Sequence, residues 1–303
     1  MKKVLYKIFI FIYKIQPNKK KYCQFLKFIN IKTDLYFNDL RFNGAFKVKE
    51  NGINFLLQSH TSTSIENKIF WKGLNGWEQK SMKLWQHFSE KSNTIFDVGA
   101  NTGIYSLIAE SANPNALIWG FEPSERVHEK YLTNKKINNY QFNTSKIALS
   151  DTDKDQIFYD TPSEHQYSAS LSPDKLKNFI GYDSKIVETT IQCQTLDSFV
   201  KEHNILNIDL IKIDTELHEP QVIEGFKNNL FKHRPVVFIE ILSKEIANKV
   251  QPYFENKNYI FYNIDDEQNM ILKTDKIGKS NYFNYLLLPE EKLDRLNEME
   301  KLM

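Results

Sequence analysis

Residues 93–107 read NTIFDVGANTGIYSL, a sequence that predicts a buried strand, a glycine turn and the start of a helix in immediate succession. The first part is a short apolar run bounded by polar residues and glycine, as strands are, and the spacing of Ile104 and Leu107 is helical. Gly99 and Gly103 have no Cβ atom to keep the backbone away from a ligand, and the free N–H groups of the helix point toward the same place. The stretch therefore predicts a nucleotide-binding turn in an α/β fold.

An acidic residue, Asp97, ends the predicted strand and bears on the identity of the nucleotide. Dinucleotide-binding enzymes have G-x-G-x-x-G here and place a pyrophosphate on the helix, which a preceding carboxylate would repel. The pattern D-x-G-x-x-x-G instead suits a cation with an amino-acid tail, such as S-adenosylmethionine, which carries a sulfonium, an ammonium and a ribose diol. A second predicted strand, residues 116–121, ends at Glu122, about 20 residues past Gly103, where ribose-binding acids usually lie. We therefore expect two carboxylates to flank one cofactor crevice.

Six short motifs, in order along the chain, resemble those of the FkbM-type S-adenosylmethionine-dependent methyltransferases, a family of class I methyltransferases. The motifs span residues 93 to 242, about half of the chain, and are 96-FDVGANTG-103, 120-GFEP-123, 148-ALSD-151, 195-TLDSF-199, 211-IKIDTE-216 and 238-FIE-240. The chain departs from the family pattern at Leu217, where many members have glycine after D-x-E.

The fold implied by this resemblance is of the α/β class, a Rossmann-like, doubly wound, mostly parallel seven-stranded sheet. Its last two strands, predicted at residues 259–264 and 282–288, form a C-terminal antiparallel hairpin, and an N-terminal α+β extension precedes the sheet. The activity implied is O-methylation of a hydroxyl group on a sugar, glycan or glycan precursor, as in polysaccharide biosynthesis.

Four segments are predicted along the chain. They are a basic, apolar arm (1–32), an α+β extension (33–92), the methyltransferase domain (93–290) and a C-terminal helix (291–303). In the extension, short strands are expected at residues 35–37, 46–48 and 53–57, and Asn51-Gly52 predicts a hairpin. A helix is expected over residues 78–89, and we interpret Trp85 as a core residue.

The predicted cofactor-binding residues lie where four successive strands end. They are Asp97, Gly99, Asn101 and Gly103 in the turn, Glu122 after the second strand, Ser150 and Asp151 after the third, and Asp214 after the fourth. The third strand, about residues 141–147, brings Ser150 and Asp151 to the carboxyl edge of the sheet, where either could meet the adenine amino group. In the alternative interpretation, Asp151 only opens the turn over residues 151–154.

The predicted catalytic residues come from the stretch 209–220. Residues 210–213 read as a buried central strand, and ligands of open α/β sheets lie beyond the carboxyl ends of such strands. Pro220 then starts a helix, since proline is preferred at the first helical position. One turn therefore gathers several titratable side chains, and a neighbouring strand adds another at the same edge. The predicted catalytic residues are Asp214, Glu216, His218 and Glu240, with Glu219 beside them.

Methyl transfer from a sulfonium to a hydroxyl is an in-line displacement that needs one positioned base. His218 has a suitable intrinsic pKa, and a carboxylate among other carboxylates could have its pKa raised toward the same range. Alternatively, the cluster holds a divalent metal through oxygen ligands and one imidazole. A further interpretation is that His218 and Glu219 only cap the helix. We predict the metal-free base.

A polar insertion, residues 155–192, precedes the fourth strand. Its stretch 163–171 has neither helical nor strand periodicity and predicts a loop over the site. His165 and the small residues 168–170 are candidate contacts for the acceptor.

The first 32 residues are strongly basic. They hold nine lysines and no acidic residue, a charge of +9, so the remainder carries −7 in a chain of net charge +2. The apolar run among the lysines is too short to span a bilayer and lacks the cleavage site of a secretory signal. One interpretation is peripheral contact with an anionic membrane. The others are packing on the catalytic domain and pairing of subunits.

Two cysteines, Cys23 and Cys193, form no metal or disulfide pattern, which suits a reducing compartment. We therefore expect a cytoplasmic protein, peripheral to the membrane if the arm binds lipid.

Two other functions are compatible with this composition. The first is methylation of nucleic acid, with the basic arm contacting phosphates. The fourth strand, however, carries no N/D-P-P-Y/F motif for exocyclic amines, and no Pro-Cys pair supplies a nucleophile for ring carbons. The second is a non-catalytic binding protein with the same fold. The intact cofactor motif argues against this alternative, since it retains Asp97, Gly99, Gly103 and Glu122.

Overall fold

The computed structural model describes residues 2–29, 39–61, 64–160, 171 and 186–301. The chain divides into two compact units. The first unit lies within the first 79 residues, and the second covers most of the chain from Lys80 onward.

The first unit combines helices with one two-stranded sheet. Its described elements are α1 (Lys2–Ile15), α2 (Lys19–Phe28), β1 (Gly44–Glu50), β2 (Ile53–Ser59), α3 (Ser64–Lys72) and a 3-10 helix (Gly73–Gly76). The predicted hairpin is confirmed: β1 and β2 pair antiparallel, with Glu50 opposite Ile53. Asn51 and Gly52 have φ angles of 50° and 87°, as a two-residue turn between twisted strands requires. The strand expected near residues 35–37 lies outside the described residues.

Aromatic side chains form the core of this unit. Phe70 packs edge-to-face against Phe42 and Phe46, with ring centroids 4.7 and 5.3 Å apart. Trp71 is also buried and donates its indole N–H to the backbone oxygen of Leu40 at 3.2 Å. A buried indole that has a hydrogen-bond acceptor adds apolar area without leaving its N–H unsatisfied.

The second unit holds the remaining elements. Its described helices are α4 (Gln79–Ser89), α5 (Ile104–Ala112), α6 (Glu125–Asn138), α7 (Leu196–Glu202), α8 (Glu219–Glu224), α9 (Lys227–His233), α10 (Lys244–Phe254), a 3-10 helix (Glu290–Lys292) and α11 (Leu293–Lys301). Its described strands are β3 (Thr94–Val98), β4 (Leu117–Phe121), β5 (Asn143–Ser145), β6 (Ala148–Ser150), β7 (Gln156–Asp160), β8 (Val187–Ile191), β9 (Cys193–Thr195), β10 (Leu210–Ile213), β11 (Val236–Glu240), β12 (Tyr259–Asp265), β13 (Met270–Thr274) and β14 (Asn284–Pro289).

The main sheet of the described chain has eight strands in the order β13-β12-β14-β11-β10-β3-β4-β5. The five strands from β11 to β5 are parallel, and β14 runs antiparallel between β11 and β12. The doubly wound, mostly parallel α/β fold of the class I methyltransferases is therefore confirmed, including the antiparallel pairing of the last predicted strands. The predicted count of seven strands is wrong, because β13 adds an edge strand paired with β12.

The core of the second unit lies along the central strands. Phe96 on β3, Ile211 on β10 and Val237 on β11 are fully buried and belong to one apolar cluster. Fully burying one such side chain contributes roughly 1.5–3 kcal/mol. On α4, Trp85 is also buried and donates its indole N–H to the backbone oxygen of Tyr105 at 2.9 Å. The predicted extension 33–92 includes this helix, although the residues from Lys80 onward belong to the second unit.

Two small sheets lie beside the main one. β6 pairs parallel with β9, and β7 pairs antiparallel with β8. The third core strand, expected over about 141–147, is confined to β5. β7 and β8 begin and end the predicted insertion, but His165 and residues 168–170 lie outside the described residues.

No helix of the described residues has both the length and the apolar content needed to cross a membrane.

Cys23 and Cys193 are buried free thiols, and burial raises their pKa values to about 12 and about 11. Thiols with such pKa values are structural rather than reactive at neutral pH.

Candidate active site

Two glycines shape the turn that follows β3. Gly99 has a φ angle of 77° and Gly103, which precedes α5, has one of 87°. Residues with side chains rarely adopt these angles. The N–H groups of Gly99 and Ala100 donate to the backbone oxygen of Phe121, at 3.0 and 2.9 Å. The turn is thereby fixed to the end of β4.

Neighbouring atoms also exclude side chains at both glycines. A Cβ atom on Gly103 would lie 2.2 Å from Cδ2 of Tyr131, and one on Gly99 would lie 1.7 Å from the backbone oxygen of Asp214. We expected the glycines to make room for a ligand, and the structure adds close packing as a second reason. The turn after β3 and the end of β10 are therefore in direct contact.

Asp97 is anchored to the first turn of α5. It is buried, and its Oδ2 accepts hydrogen bonds from the backbone N–H and the hydroxyl of Ser106, at 2.9 and 2.7 Å. This N–H belongs to the helix start that was expected to face a ligand, so that expectation is wrong for Ser106. Within the described residues, Asp97 Oδ1 accepts no hydrogen bond. Burial raises the pKa of Asp97, while the Lys212 cation and the bonds from Ser106 lower it.

Glu122 follows β4 and contacts the same turn. Its Oε2 accepts the backbone N–H of Asn101 at 3.0 Å, and its Oε1 accepts that of Ser124 at 2.9 Å. Burial raises the pKa of Glu122 to about 7, although both backbone bonds lower it. Asn101 has a φ angle of 53° and accepts the backbone N–H of Thr102 on its own side-chain oxygen at 2.8 Å. The predicted ribose-binding acid therefore also holds the glycine turn in place.

Lys212 is a site residue that the sequence interpretation missed. It lies in register with Asp97 on the neighbouring strand, and its Nζ is 2.6 Å from Oδ2 of Asp214. The same Nζ lies 4.5 Å from the ring centroid of Tyr105. Lys212 is nearly buried, whereas the Asp214 side chain is 25% exposed. The sequence feature that could have identified Lys212 is its position as the single charged residue in the apolar strand 210–213.

The turn after β10 has an unusual backbone. Glu216 and Leu217 have φ angles of 53° and 76°, in the left-handed region that favours glycine. Leu217 stands where the family pattern has glycine, so the turn keeps a glycine-like conformation without a glycine. Holding an ordinary residue there costs about 1–3 kcal/mol.

Glu219 stabilises this turn from inside. Its Oε1 accepts the backbone N–H groups of Thr215 and Leu217, at 2.9 and 3.2 Å, and the Thr215 hydroxyl at 3.1 Å. Its side chain is fully buried, and burial raises its pKa to about 7. These bonds fix the turn before α8 and do not satisfy the first N–H groups of the helix, so the capping interpretation is wrong for Glu219.

His218 is the residue before α8, and Pro220 stands in the first turn of that helix, as expected. The side chain of His218 makes no capping bond to the helix. Its Nε2 instead lies 3.0 Å from the hydroxyl oxygen of Ser150, which also accepts a hydrogen bond from Gln156 at 3.3 Å. The structure thus joins a predicted catalytic residue to a predicted cofactor residue, and Gln156 is a neighbour that the sequence did not indicate.

The other predicted residues lie near this edge of the sheet. Asp151 is exposed and accepts the Ser150 hydroxyl at 3.2 Å. Glu240 ends β11, in register with Asn284, and Glu216 is half-buried in the turn. Ser124 occupies the cap position of α6, but its hydroxyl donates to Asp160 at 2.7 Å. The hydroxyl of Ser124 therefore does not cap α6.

The residues of the turn fit the chemistry of S-adenosylmethionine. Asp97 Oδ1 is a buried acceptor that no group of the described chain satisfies, and an ammonium group would satisfy it. Each oxygen of Glu122 holds one backbone N–H and keeps a lone pair for a hydroxyl of a ribose diol. In the part of the chain that the structure describes, no group of three or more His, Cys, Asp or Glu side chains is placed to hold a metal ion.

Sequence comparison identifies related proteins. A family model described as the methyltransferase FkbM domain matches residues 97–266, more than half of the chain. The AMB antimetabolite synthetase AmbE of Pseudomonas aeruginosa is 24% identical over an alignment of 177 residues, and the match covers 50% of this chain and 8% of that protein. The chain therefore spans only a small part of the length of this relative.

Two solved structures are similar at low identity. The methyltransferase FkbM from Methylobacillus flagellatus KT is 11% identical, with 73% of this chain and 53% of that chain covered and a TM-score of 0.38. A SAM-dependent methyltransferase from Agrobacterium tumefaciens is 8% identical, with 82% and 71% covered and a TM-score of 0.40.

Proposed function

The chain belongs to the FkbM methyltransferase family, and from that premise we propose that this S-adenosylmethionine-dependent enzyme methylates a hydroxyl group of a sugar, glycan or glycan precursor. The observation that carries the proposal is the position of His218. Its imidazole stands at the turn after β10, bonded to Ser150, while the same turn packs against Gly99. A neutral imidazole beside the donor site is the group that a hydroxyl acceptor needs, because its proton must leave during transfer.

The hydrogen bonds of Ser150 favour one tautomer of His218. A serine hydroxyl has one proton to donate, and Asp151 accepts it at 3.2 Å. Ser150 then accepts from Gln156 and from Nε2–H of His218, which leaves the lone pair of the imidazole on Nδ1. In either tautomer, we assign the His218 imidazole to taking the proton of the acceptor hydroxyl.

The donor, when bound, supplies a methyl group that its sulfonium activates for in-line displacement. Asp97 would hold the ammonium group and Glu122 the ribose diol. Asp214 is the best placed of the proposed carboxylates, because its backbone touches Gly99 and Lys212 fixes its side chain. We assign Asp214 to orienting the donor or the acceptor hydroxyl, with Glu216 and Glu240 as further proposed contacts.

We also propose that the reaction takes place in the cytoplasm, since both cysteines are free thiols.

Methyl transfer to a panel of acceptors tests the proposal. The purified chain is incubated with methyl-labelled S-adenosylmethionine and nucleotide sugars, oligosaccharides, amines or polynucleotides, and the products are analysed by mass spectrometry. We expect label as an O-methyl ether on a sugar, with the rate reduced in His218→Gln and unchanged in Lys249→Gln, whose lysine is on the exposed face of α10. Label found only in amines or polynucleotides would contradict the proposal.

A further inference from the structure

The first helix of the chain exposes an apolar stripe. Ile8, Phe11 and Ile15 on α1 are 47%, 64% and 64% exposed. At 3.6 residues per turn, these three positions fall within about 60° of one another around the helix axis. Surface helices of water-soluble proteins usually turn such a stripe toward the core.

The opposite side of α1 holds the helix in the first unit. Tyr6 and Tyr13 point roughly opposite to the stripe, and their hydroxyls donate to the Asp39 carboxylate and to the backbone oxygen of Arg41. The α2 residue Tyr22 donates to the backbone oxygen of Phe9 at 3.3 Å. The helix is therefore attached through its tyrosine side, and its apolar stripe remains exposed.

The second helix is arranged in the same way. α2 buries Cys23 and Leu26 on one side and leaves Phe25 and Phe28 56% and 87% exposed on another. Two consecutive helices therefore each bury one side and expose large apolar side chains on another. Together we call Ile8, Phe11, Ile15, Phe25 and Phe28 the exposed apolar set.

The segment that carries the exposed apolar set has charges of one sign only. Residues 1–32 hold nine lysines and no carboxylate, and Lys7, Lys14, Lys19 and Lys21 are exposed. On α1, Lys7 and Lys14 lie about 100° to 120° from Ile8 around the helix axis, beside the apolar stripe. Apolar side chains flanked by lysines are the pattern of helices that lie in the interface of an anionic bilayer.

We propose that α1 and α2 form a docking surface for an anionic phospholipid bilayer, with the exposed apolar set entering the interface and the lysines contacting lipid phosphates. A second copy of the chain is a poorer occupant, because pairing these helices would bring two segments of charge +9 together. Nucleic acid would match the lysines but leaves Ile8, Phe11 and Ile15 unexplained, since phosphates do not bind aliphatic side chains. The proposal is independent of the acceptor of the methyl group.

Vesicle flotation with the full chain tests the docking surface. Vesicles of phosphatidylcholine containing about one third phosphatidylglycerol are compared with pure phosphatidylcholine, at about 0.1 M and about 0.5 M salt. We expect the chain to float with the anionic vesicles only, and to be released by salt. Absence of flotation with anionic vesicles at the lower salt overturns the proposal.

Substitutions separate the apolar and the charged contributions. The triple variant Ile8→Ser, Phe11→Ser, Ile15→Ser should lose flotation, whereas Leu206→Ser, which removes an 89% exposed side chain from the second unit, should keep it. Lys7→Gln with Lys14→Gln should weaken binding at least tenfold, since each lysine near the surface strengthens it about fivefold. The matched pair Lys273→Gln with Lys276→Gln removes two exposed lysines from the second unit and should change binding little.

Two results would overturn the assignment to lipid. One is undiminished flotation of the triple variant. The other combines two observations: the intact chain does not bind vesicles, and it forms a concentration-dependent dimer in sedimentation experiments. The triple variant would then fail to form this dimer. Calorimetric titration with S-adenosylmethionine accompanies each variant, because retained donor affinity shows that the second unit is folded.

Discussion

The backbone oxygen of Asp214 lies so close to Gly99 that a Cβ atom on Gly99 would be 1.7 Å away from it. This contact joins the turn after β3 to the end of β10, the two segments that carry the proposed donor and acceptor sites. The two turns are therefore packed against each other without room for a side chain at position 99.

Gly99→Ala should destabilise the protein by about 2–4 kcal/mol, because the new Cβ meets backbone and the φ angle of 77° favours glycine. Urea denaturation measures the change. Gly278→Ala is the matched control, since no heavy atom lies within 4 Å of the Cβ position there. Equal stability of the two variants would show that the turns are not packed as described.

Lys212→Met should weaken binding of S-adenosylmethionine at least tenfold at pH 7. The Lys212 cation lowers the pKa of Asp97, which burial raises, so its loss favours protonated Asp97. Calorimetry at pH 7 measures this, with Lys249→Met as the exposed control. An affinity equal to that of the unmodified protein at pH 7 would remove Lys212 from this role.

His218→Gln should lower turnover by about 100-fold or more while leaving donor affinity unchanged, since general base catalysis contributes about 10²–10⁴-fold. Ser150→Ala should have a smaller effect in the same direction, because it only frees the imidazole that Ser150 orients. The control is His203→Gln, which replaces a histidine that stacks on Phe199. Initial rates and donor titrations together separate catalysis from binding. Unchanged turnover in His218→Gln would rule out this base.

Glu219→Gln should gain stability relative to the unmodified protein as the pH rises from 5 to 8. The folded-state pKa of Glu219 is about 7, above the ordinary 4.5, so the carboxyl stabilises the fold most below pH 4.5. That contribution is lost as the pH rises through 7. Glutamine can still accept the bonds from Thr215 and Leu217 and cannot ionise, so the relative gain should reach up to about 3 kcal/mol. Denaturant midpoints across pH measure it, with the exposed Glu129→Gln as control. A pH-independent difference would contradict the burial of an ionisable Glu219.

Leu217→Gly should be more stable than Leu217→Ala by about 1 kcal/mol. Both variants lose the packing of Leu217 against the core, but only alanine keeps the strain of a φ angle of 76°. In ordinary helical or extended backbone the order is the reverse. Thermal or urea denaturation of the two variants gives the order directly, and greater stability of the alanine variant would contradict the left-handed turn.

Local patterns were enough to predict the parallel core of the sheet. Four strands of this core are short apolar runs that end at glycine or charged residues, namely β3, β4, β10 and β11. Because such strands are buried on both faces, their apolar residues follow one another without alternating with polar ones. Pro220 likewise indicates the start of α8, because its fixed φ suits only the first turn.

Edge strands and contacts between strands were not predictable in this way. β13 exposes Met270 and Leu272, so it lacks the buried alternation that identifies a strand. The proximity of Lys212 to Asp97 depends on the register between β3 and β10, which the sequence of either strand does not contain. The burial of Glu219 depends on positive φ angles at Glu216 and Leu217, two residue types that do not favour them.

Calorimetric titration of S-adenosylmethionine into the unmodified chain and into Asp97→Asn, with Asp275→Asn as an exposed control, tests whether the turn after β3 binds the methyl donor. The amide retains the bonds from Ser106 but replaces the unsatisfied Oδ1 with an N–H donor, which repels an ammonium group. We predict micromolar binding to the unmodified chain and to the control, and at least tenfold weaker binding to Asp97→Asn, about 1.4 kcal/mol. Equal affinity in all three proteins would contradict a donor site built on the turn after β3.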